Sequence, residues 1–451
     1  MRRPDRADAA FIAAAAVTGP LLLFLGAGLT FFSDEWALIE SRSLGDPTTW
    51  FTPHNEHWYT IPILVYRALV ETIGLGSYLP YLAVLIGLHI LVATLVYVLV
   101  RRSSGRWPAL ATGVVVLLFG SGFENLYWGF QMGFVGSVAL GLAAMLVSGG
   151  QAGARRSILV ALLLLASLAT SGIGIVMSVA VGIEWLLEPR WRRWVPTLVI
   201  PAGTYAAWYL AIGRVGIAIQ RDPFTLSALL DVPSFVVRGV GNAVGSVAGL
   251  PWEIGFAVGL IAVAYGVRQM SRGELAPRAV GILGAVVVQY ALIGLVRAQL
   301  FEGIVSYTRY TYVTGIICLV GLWALIGPVQ LPAARRPRLA GLAAFASWLT
   351  AALLLNLMLL LGGRGLFLDR ADMTRALVTV ALDPNPPPGA QLDRSLVLVP
   401  SAVSLRQIVS RYGDPSTDAL VPWAVRPIPP DIMAEARRRL IEGAPIPGKN
   451  N

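Results

Sequence analysis

Asp34 and Glu35 are the residues in this chain best suited to proton chemistry. They stand side by side where an apolar run ending at Phe32 gives way to a polar stretch, and His54, Glu56 and His57 follow within that stretch. Carboxylates at a membrane surface are costly to desolvate, so a bundle that holds them there uses them. An acid so placed can take a proton from a hydroxyl. His54, Glu56 and His57 suit hydrogen bonding to a substrate or to Asp34. Their H-x-E-H order lacks the i, i+4 histidine spacing of a helical zinc site, so metal ligation is the weaker reading. Glu124, Trp128 and Gln131 are spaced i, i+4, i+7, which predicts an acid, an indole and an amide on one helical face. That trio suits a sugar, with the acid and amide on hydroxyls and the indole on the apolar ring face. The same residues also fit an interfacial aromatic belt beside a capping acid. Arg309, next to Tyr310, can grip phosphate bidentately, and at a membrane surface a lipid-linked phosphate is the natural partner. Arg297 closes the preceding apolar run on the same side, where snorkelling to headgroups is the simpler account. His89 reads as a packed, bonded histidine inside a helix. The sequence has no phosphate-cradling Walker loop, dinucleotide-binding glycine pattern or serine-nucleophile motif.

The elements that must position these residues are membrane spans. The 451 residues are 56% hydrophobic and 13% charged, with a mean hydropathy of +0.68. Several apolar runs reach the ~20 residues that cross a bilayer. The net charge of +10 does not indicate a nucleic-acid partner. Of the 35 basic residues every one but Lys449 is arginine, a bias that fits a GC-rich bacterial genome and a bacterial plasma membrane. The single Cys318 excludes an internal disulfide. The first apolar run continues to Phe32 without a small-residue cleavage site, so it reads as an uncleaved helix.

Eleven spans are expected: about 10–32, 78–100, 107–123, 126–148, a hairpin of two short helices in 157–187 broken at Thr170-Ser171-Gly172, then 195–213, 251–268, 279–297, 310–328 and 339–361. Residues 59–73 predict a helix in the interface plane with the Arg67–Glu71 pair turned to water. Charge parity selects the hairpin. It puts all the arginine clusters on one side, seventeen against seven in the outer segments (Arg42, Arg67, Arg214, Arg221, Arg238, Arg297, Arg309). The positive-inside rule then makes the N-terminus cytoplasmic and the C-terminus external. Asp34, Glu35, His54, Glu56, His57, Glu124, Gln131, Arg221, Arg297, Glu302 and Arg309 all fall at the outer face. The N-terminus of the second hairpin helix is expected to point at an external cavity. Residues 1–361 would form the membrane domain, with its first external loop at 33–77. Residues 362–451 would form a small external α/β region, with a strand at 395–403 and helices near LRQIVSRYG and PDIMAEARRRLIEGA.

A first helix ending in an external acidic pair, a long first loop with an interfacial helix, about eleven spans and an Arg-Tyr pair at an outer helix start resemble the GT-C superfamily. These are integral membrane glycosyltransferases using polyprenyl-phosphate sugars, among them protein O-mannosyltransferases, aminoarabinose transferases and mycobacterial arabinosyltransferases. The resemblance covers roughly 1–361. Trp36 after the acidic pair departs from the O-mannosyltransferase pattern, and the tail is not a carbohydrate-binding domain. PHNEHW (53–58) and ENLYWGFQ (124–131) mark a separate bacterial subgroup. The resemblance implies an all-α polytopic fold and an inverting transfer from a polyprenyl-phosphate donor to a glycan, lipid or protein hydroxyl. Asp34 would be the base, assisted by Glu35. Arg309, Arg297 and Tyr310 would hold the donor phosphate, leaving acceptor and sugar to His54, Glu56, His57, Glu124, Trp128 and Gln131. No cofactor is implied; a divalent metal is compatible with the transfer but not required. Two other classes stay open, a transporter or flippase and a non-catalytic subunit of a cell-envelope assembly.

Overall fold

The computed structural model describes residues 5–149, 153–189, 191–214, 226–297, 307–329, 334–384 and 391–442. Helix α1 (Arg6–Gly26) starts at a capping box: the Asp5 carboxylate accepts from the Ala7 and Asp8 N–H groups, and Asp8 accepts from the Asp5 N–H. The first loop carries α2 (Asp34–Glu40), α3 (Thr48–Phe51) and α4 (Thr60–Thr72). Then α5 (Leu79–Ser104) and α6 (Arg106–Leu117) pack as a hairpin. An irregular stretch holding the single turn α7 (Glu124–Tyr127) leads into α8 (Met132–Ser148). Next come α9 (Ala154–Thr170), α10 (Ile173–Leu186) and α11 (Val195–Trp208), the last ending in a π turn at Tyr209–Gly213. Four more helices follow in order, α12 (Leu226–Ser246), α13 (Trp252–Ser271), α14 (Pro277–Arg297) and α15 (Thr308–Ile326). The chain ends with α16 (Arg335–Ala381), α17 (Ala402–Tyr412) and α18 (Pro430–Glu442).

The protein is an all-α polytopic membrane protein. Among the described residues eight helices are long and apolar enough to span a bilayer. Exposed Ile12, Val17 and Phe24 on α1, Leu260 and Ile261 on α13, and Leu354 and Met358 on α16 face outward from the bundle, as lipid contact requires. Each of the eleven expected spans is present as a helix. Three of them, α6, α9 and α10, are short: the 14 residues of α10 reach about 21 Å at 1.5 Å per residue, against a hydrocarbon core of about 30 Å. These three are not among the eight helices long and apolar enough to span a bilayer. His89 is a bonded bundle histidine, as expected: its Nδ1 lies 2.8 Å from the Tyr312 hydroxyl and its Nε2 3.2 Å from the Leu117 carbonyl.

Several boundaries differ from expectation: α6 ends at Leu117, α8 starts at Met132, and α12 forms where no span was expected. Helix α1 ends at Gly26 rather than near 32, because arginines of α16 take its trailing carbonyls. Arg364 donates to Leu25 O, and buried Arg375 donates to Gly28 O and Leu29 O. Helix α16 does not stop near 361. It runs 47 residues, about 70 Å, with Phe367, Leu368, Ala371, Arg375 and Val378 buried at helical spacing. The strand expected at 395–403 is reduced to one parallel bridge between Ser33 and Val397.

The interfacial helix is also corrected. Arg67 on α4 turns inward and is 2% exposed. It donates to Ile39 O at 2.7 Å and to the Tyr412 hydroxyl at 2.9 Å, besides its ion pair with Glu71. A guanidinium over the α2 carbonyls and beneath the tail ties three segments together, which a water-facing pair could not do.

Candidate active site

The tail builds the platform for the acidic pair. Ser33 N–H donates to Leu396 O at 2.7 Å, and the Thr30 hydroxyl donates to Pro415 O. Ser33 sits at φ 55°, a region that non-glycine residues rarely occupy. Helix α2 begins directly after it, at Asp34. Asp34 and Glu35 therefore occupy the first turn of the same short helix, where carboxylates are favoured.

The two acids face opposite environments. Glu35 is fully buried. Its Oε1 accepts from the hydroxyls of Tyr66 (3.0 Å) and Tyr78 (2.8 Å), and its Oε2 accepts from Phe32 N–H (3.0 Å). Burial pushes its pKa up to about 8, although the bonds from Phe32, Tyr78 and Tyr66 favour the ionised form. Gly129 is required beside it: a Cβ there would stand 2.7 Å from Oε1, while the Gly129 N–H donates to the Tyr78 hydroxyl. Asp34 keeps its side chain 24% exposed, with Oδ1 3.6 Å from His54 Nε2.

His54 is held rigidly. His54 and His57 exchange backbone hydrogen bonds across a tight turn at Asn55, φ 53°. Arg42 clamps the preceding loop by donating to Thr49 O, Thr52 O and Pro53 O. The His54 ring lies 5.1 Å from the Phe130 ring and 5.7 Å from that of Tyr59. His57 packs where any side chain on Gly172 would stand, so the α10 N-terminus meets His57. Trp58 stacks on Trp208 at the end of α11, ring centroids 5.3 Å apart. Glu56 is half-buried on the same turn. Among the described residues no group of three or more His, Cys, Asp or Glu could hold a metal ion.

Glu124, Trp128 and Gln131 do not share a helical face. Trp128 is extended (φ −109°, ψ 108°) and breaks the helix between α7 and a short 3-10 turn. Glu124 is a capping acid: its Oε2 accepts from the Thr308 hydroxyl (2.9 Å) and the Arg309 N–H (3.1 Å), fixing the start of α15. Trp128 is 4% exposed and Gln131 1%. The indole packs on Phe32 and Phe130, with centroids 4.8 and 5.1 Å away. The Trp128 Nε1 and Gln131 Nε2 donors are buried without hydrogen-bond partners.

Arg309 lies over the rings of Tyr307 (4.8 Å) and Tyr310 (5.4 Å). A second arginine, which the sequence reading left in the tail, stands close by. Arg370, on the extension of α16, lies 5.0 Å over Phe367 and 5.5 Å over Phe32, two residues before Asp34. The Tyr307 hydroxyl, whose pKa burial raises, feels both Arg309 and Arg370 as well as Glu124. The structure thus gathers Asp34, His54, Trp128, Arg309 and Arg370 around the Phe32 ring and its neighbours. Arg221, Glu302 and the side chain of Arg297 lie outside the described residues. The helical spacing of Phe367, Arg370 and Met373-Thr374 was the signal that Arg370 belonged to the bundle.

No family model and no curated protein matches the sequence. Solved structures do. ArnT from Cupriavidus metallidurans bound to undecaprenyl phosphate superposes with a TM-score of 0.52 at 15% identity, over 92% of this chain and 88% of that one. Its apo state gives 0.53 at 14% identity, over 96% and 90%. The chain shares the fold of these ArnT structures. The covered shares are too large to leave out the whole of the region after 361.

Proposed function

We propose that the protein is an inverting glycosyltransferase that moves a sugar from a polyprenyl-phosphate donor to an acceptor hydroxyl at the external membrane face. The observation that carries this reading is Asp34. It is a partly exposed carboxylate with His54 at 3.6 Å, on a pinned loop helix, in the fold of a protein seen with undecaprenyl phosphate. Asp34 lies in none of the eight candidate spans, which favours transfer over transport, since a transporter's coupling acid belongs near the midplane.

In the proposed step the acceptor oxygen attacks the anomeric carbon as Asp34 takes its proton. The bond from that carbon to the phosphate oxygen breaks, and the lipid phosphate leaves with the electron pair. Such base assistance contributes about 10²–10⁴-fold. Arg309 and Arg370 stabilise the leaving phosphate, aided by the aromatic rings that hold their guanidinium planes. His54 orients Asp34. Glu35, sealed from solvent, positions α2 and does not touch substrate. Trp128 and Gln131, both buried, shape the wall of the site rather than contact the sugar. The acceptor is a glycan, lipid or protein hydroxyl.

The test is incubation of purified protein with a panel of polyprenyl-phosphate sugars, scored for released polyprenyl phosphate. At least one donor is expected to turn over, and Asp34→Asn to lower kcat at least about 100-fold with donor affinity unchanged. A folded Asp34→Asn protein with full turnover would remove the base from this mechanism.

A further inference from the structure

The tail holds an uncharged loop, Leu420 to Val425, that is firmly seated yet turns large apolar side chains outward. The feature is independent of the transfer reading. Before the loop, the buried Asp418 carboxylate accepts from the N–H groups of Leu420 (3.0 Å) and Val421 (3.1 Å), and Ala419 N–H donates to Gly76 O at 2.7 Å. Within it, a 3-10 turn spans Pro422–Ala424, and Ala424 N–H donates to Val421 O at 2.9 Å. After it, Arg426 pairs with Asp372 of α16 at 2.7 Å. Ala424 O sits so close to the chain after α1 that a Cβ on Gly28 would stand 2.5 Å from it. The loop is therefore fixed to the end of α1 on one side and to α16 on the other. Even so, Leu420 is 61% exposed and Trp423 67%.

The second observation is where the Trp423 indole stands. Val17, Leu21 and Phe24 are spaced i, i+4, i+7 and so share one face of α1. All three are exposed, on a helix long and apolar enough to cross the bilayer. The Trp423 ring stacks on the Phe24 ring, centroids 6.0 Å apart and planes 26° from parallel. Phe24 lies in the last turn of α1. Trp423 thus prolongs the lipid-facing strip at the depth where the span ends. Tryptophan favours that depth, because its ring is apolar and its N–H can reach water or headgroups. We propose that the Leu420–Val425 loop is a membrane-docking surface, with the Trp423 indole entering the headgroup–hydrocarbon boundary beside α1 and Leu420 on its flank. Lipid is the occupant because the strip that the indole continues is itself covered by lipid. A loop already fixed by its own hydrogen bonds loses little conformational freedom on insertion. Docked, it adds the bilayer to the contacts that seat the tail near Pro415, whose carbonyl takes the Thr30 hydroxyl.

Spin labelling tests this on the full chain in a Cys318→Ser background, one copy per phosphatidylcholine nanodisc. A nitroxide on a single introduced cysteine reports its collisions with oxygen, which is apolar, and with a neutral nickel chelate, which is polar. Val17→Cys on α1 is the lipid reference, and Ser410→Cys, exposed on α17, is the water reference. The oxygen-to-nickel ratio at Trp423→Cys is expected to exceed that at Ser410→Cys at least about threefold, since an apolar solute gathers in hydrocarbon and a polar one in water. Leu420→Cys, which keeps the indole, should exceed the water reference about twofold and lose that excess when Trp423→Ser is added. A ratio at Trp423→Cys equal to that at Ser410→Cys puts the loop in water and overturns the proposal. Loss of access to both reagents means that protein covers the loop, which overturns it as well. If Trp423→Cys does not melt cooperatively, Leu420→Cys decides with and without Trp423→Ser, and a ratio that does not respond to the loss of the indole overturns the proposal.

Discussion

Two adjacent acids divide their duties by environment. Asp34 keeps water and a histidine; Glu35 has neither, and three hydrogen bonds bind it into the protein. The acidic pair was legible because polar residues are conspicuous beside an apolar run. The division was not, because it depends on Tyr66, Tyr78 and Gly129, which arrive from elsewhere in the chain. The raised pKa of Glu35 has a consequence for stability. Folding takes up a proton at Glu35, so its contribution is fully present below about pH 4.5 and is lost as pH rises through about 8. Melting temperature in detergent is expected to fall across that window. Glu35→Gln, neutral at every pH, should flatten the fall; an unchanged slope would show that other groups titrate there. Glu35→Gln should also keep more turnover than Asp34→Asn, which the released-phosphate assay reads directly.

Helix ends did most of the positioning, and they were the least legible elements. The spacing of Glu124, Trp128 and Gln131 is a helical pattern, but Phe123 to Gln131 do not form a continuous helix, and long-range contacts decide that. Glu124 instead satisfies the first turn of α15. Glu124→Ala is expected to cost about 1–2 kcal/mol of stability, as loss of a helix cap does, and to weaken donor binding by freeing the start of α15 at Thr308 and Arg309. Denaturation and donor-affinity measurements on one sample check both. At Arg309, lysine keeps charge and loses the fork, so donor affinity should fall in the order wild type, Arg309→Lys, Arg309→Ala. Equal affinity in all three would leave Arg309 as a headgroup contact. The continuation of α16 past 361 was readable from its spacing, yet its proline-rich sequel made the whole segment look like a separate region.

At the scale of the molecule, composition made the membrane fold plain, and arginine asymmetry supplied an orientation. Cysteine labelling in a Cys318→Ser background tests that orientation: Ser271→Cys is expected to react from the cytoplasmic side and Ser410→Cys from the external side, both positions being exposed. Labelling of both from one side would dismantle the outer cluster. What sequence could not show is the reach of the tail. Contacts such as Ser33 to Leu396, Arg67 to Tyr412 and Leu75 to Tyr412 join segments from opposite ends of the chain, and no local pattern announces them.

The bond from Thr30 to Pro415 spans 385 residues. A ribosome adding about 5–20 residues per second needs roughly 20–80 s to cover that distance. Throughout that interval the first loop lacks the tail contacts at Leu396, Val397 and Pro415 that hold Thr30 and Ser33. The setting of the acidic pair is thus complete only once the segment around Leu396 and Pro415 has been made and has folded back onto the first loop.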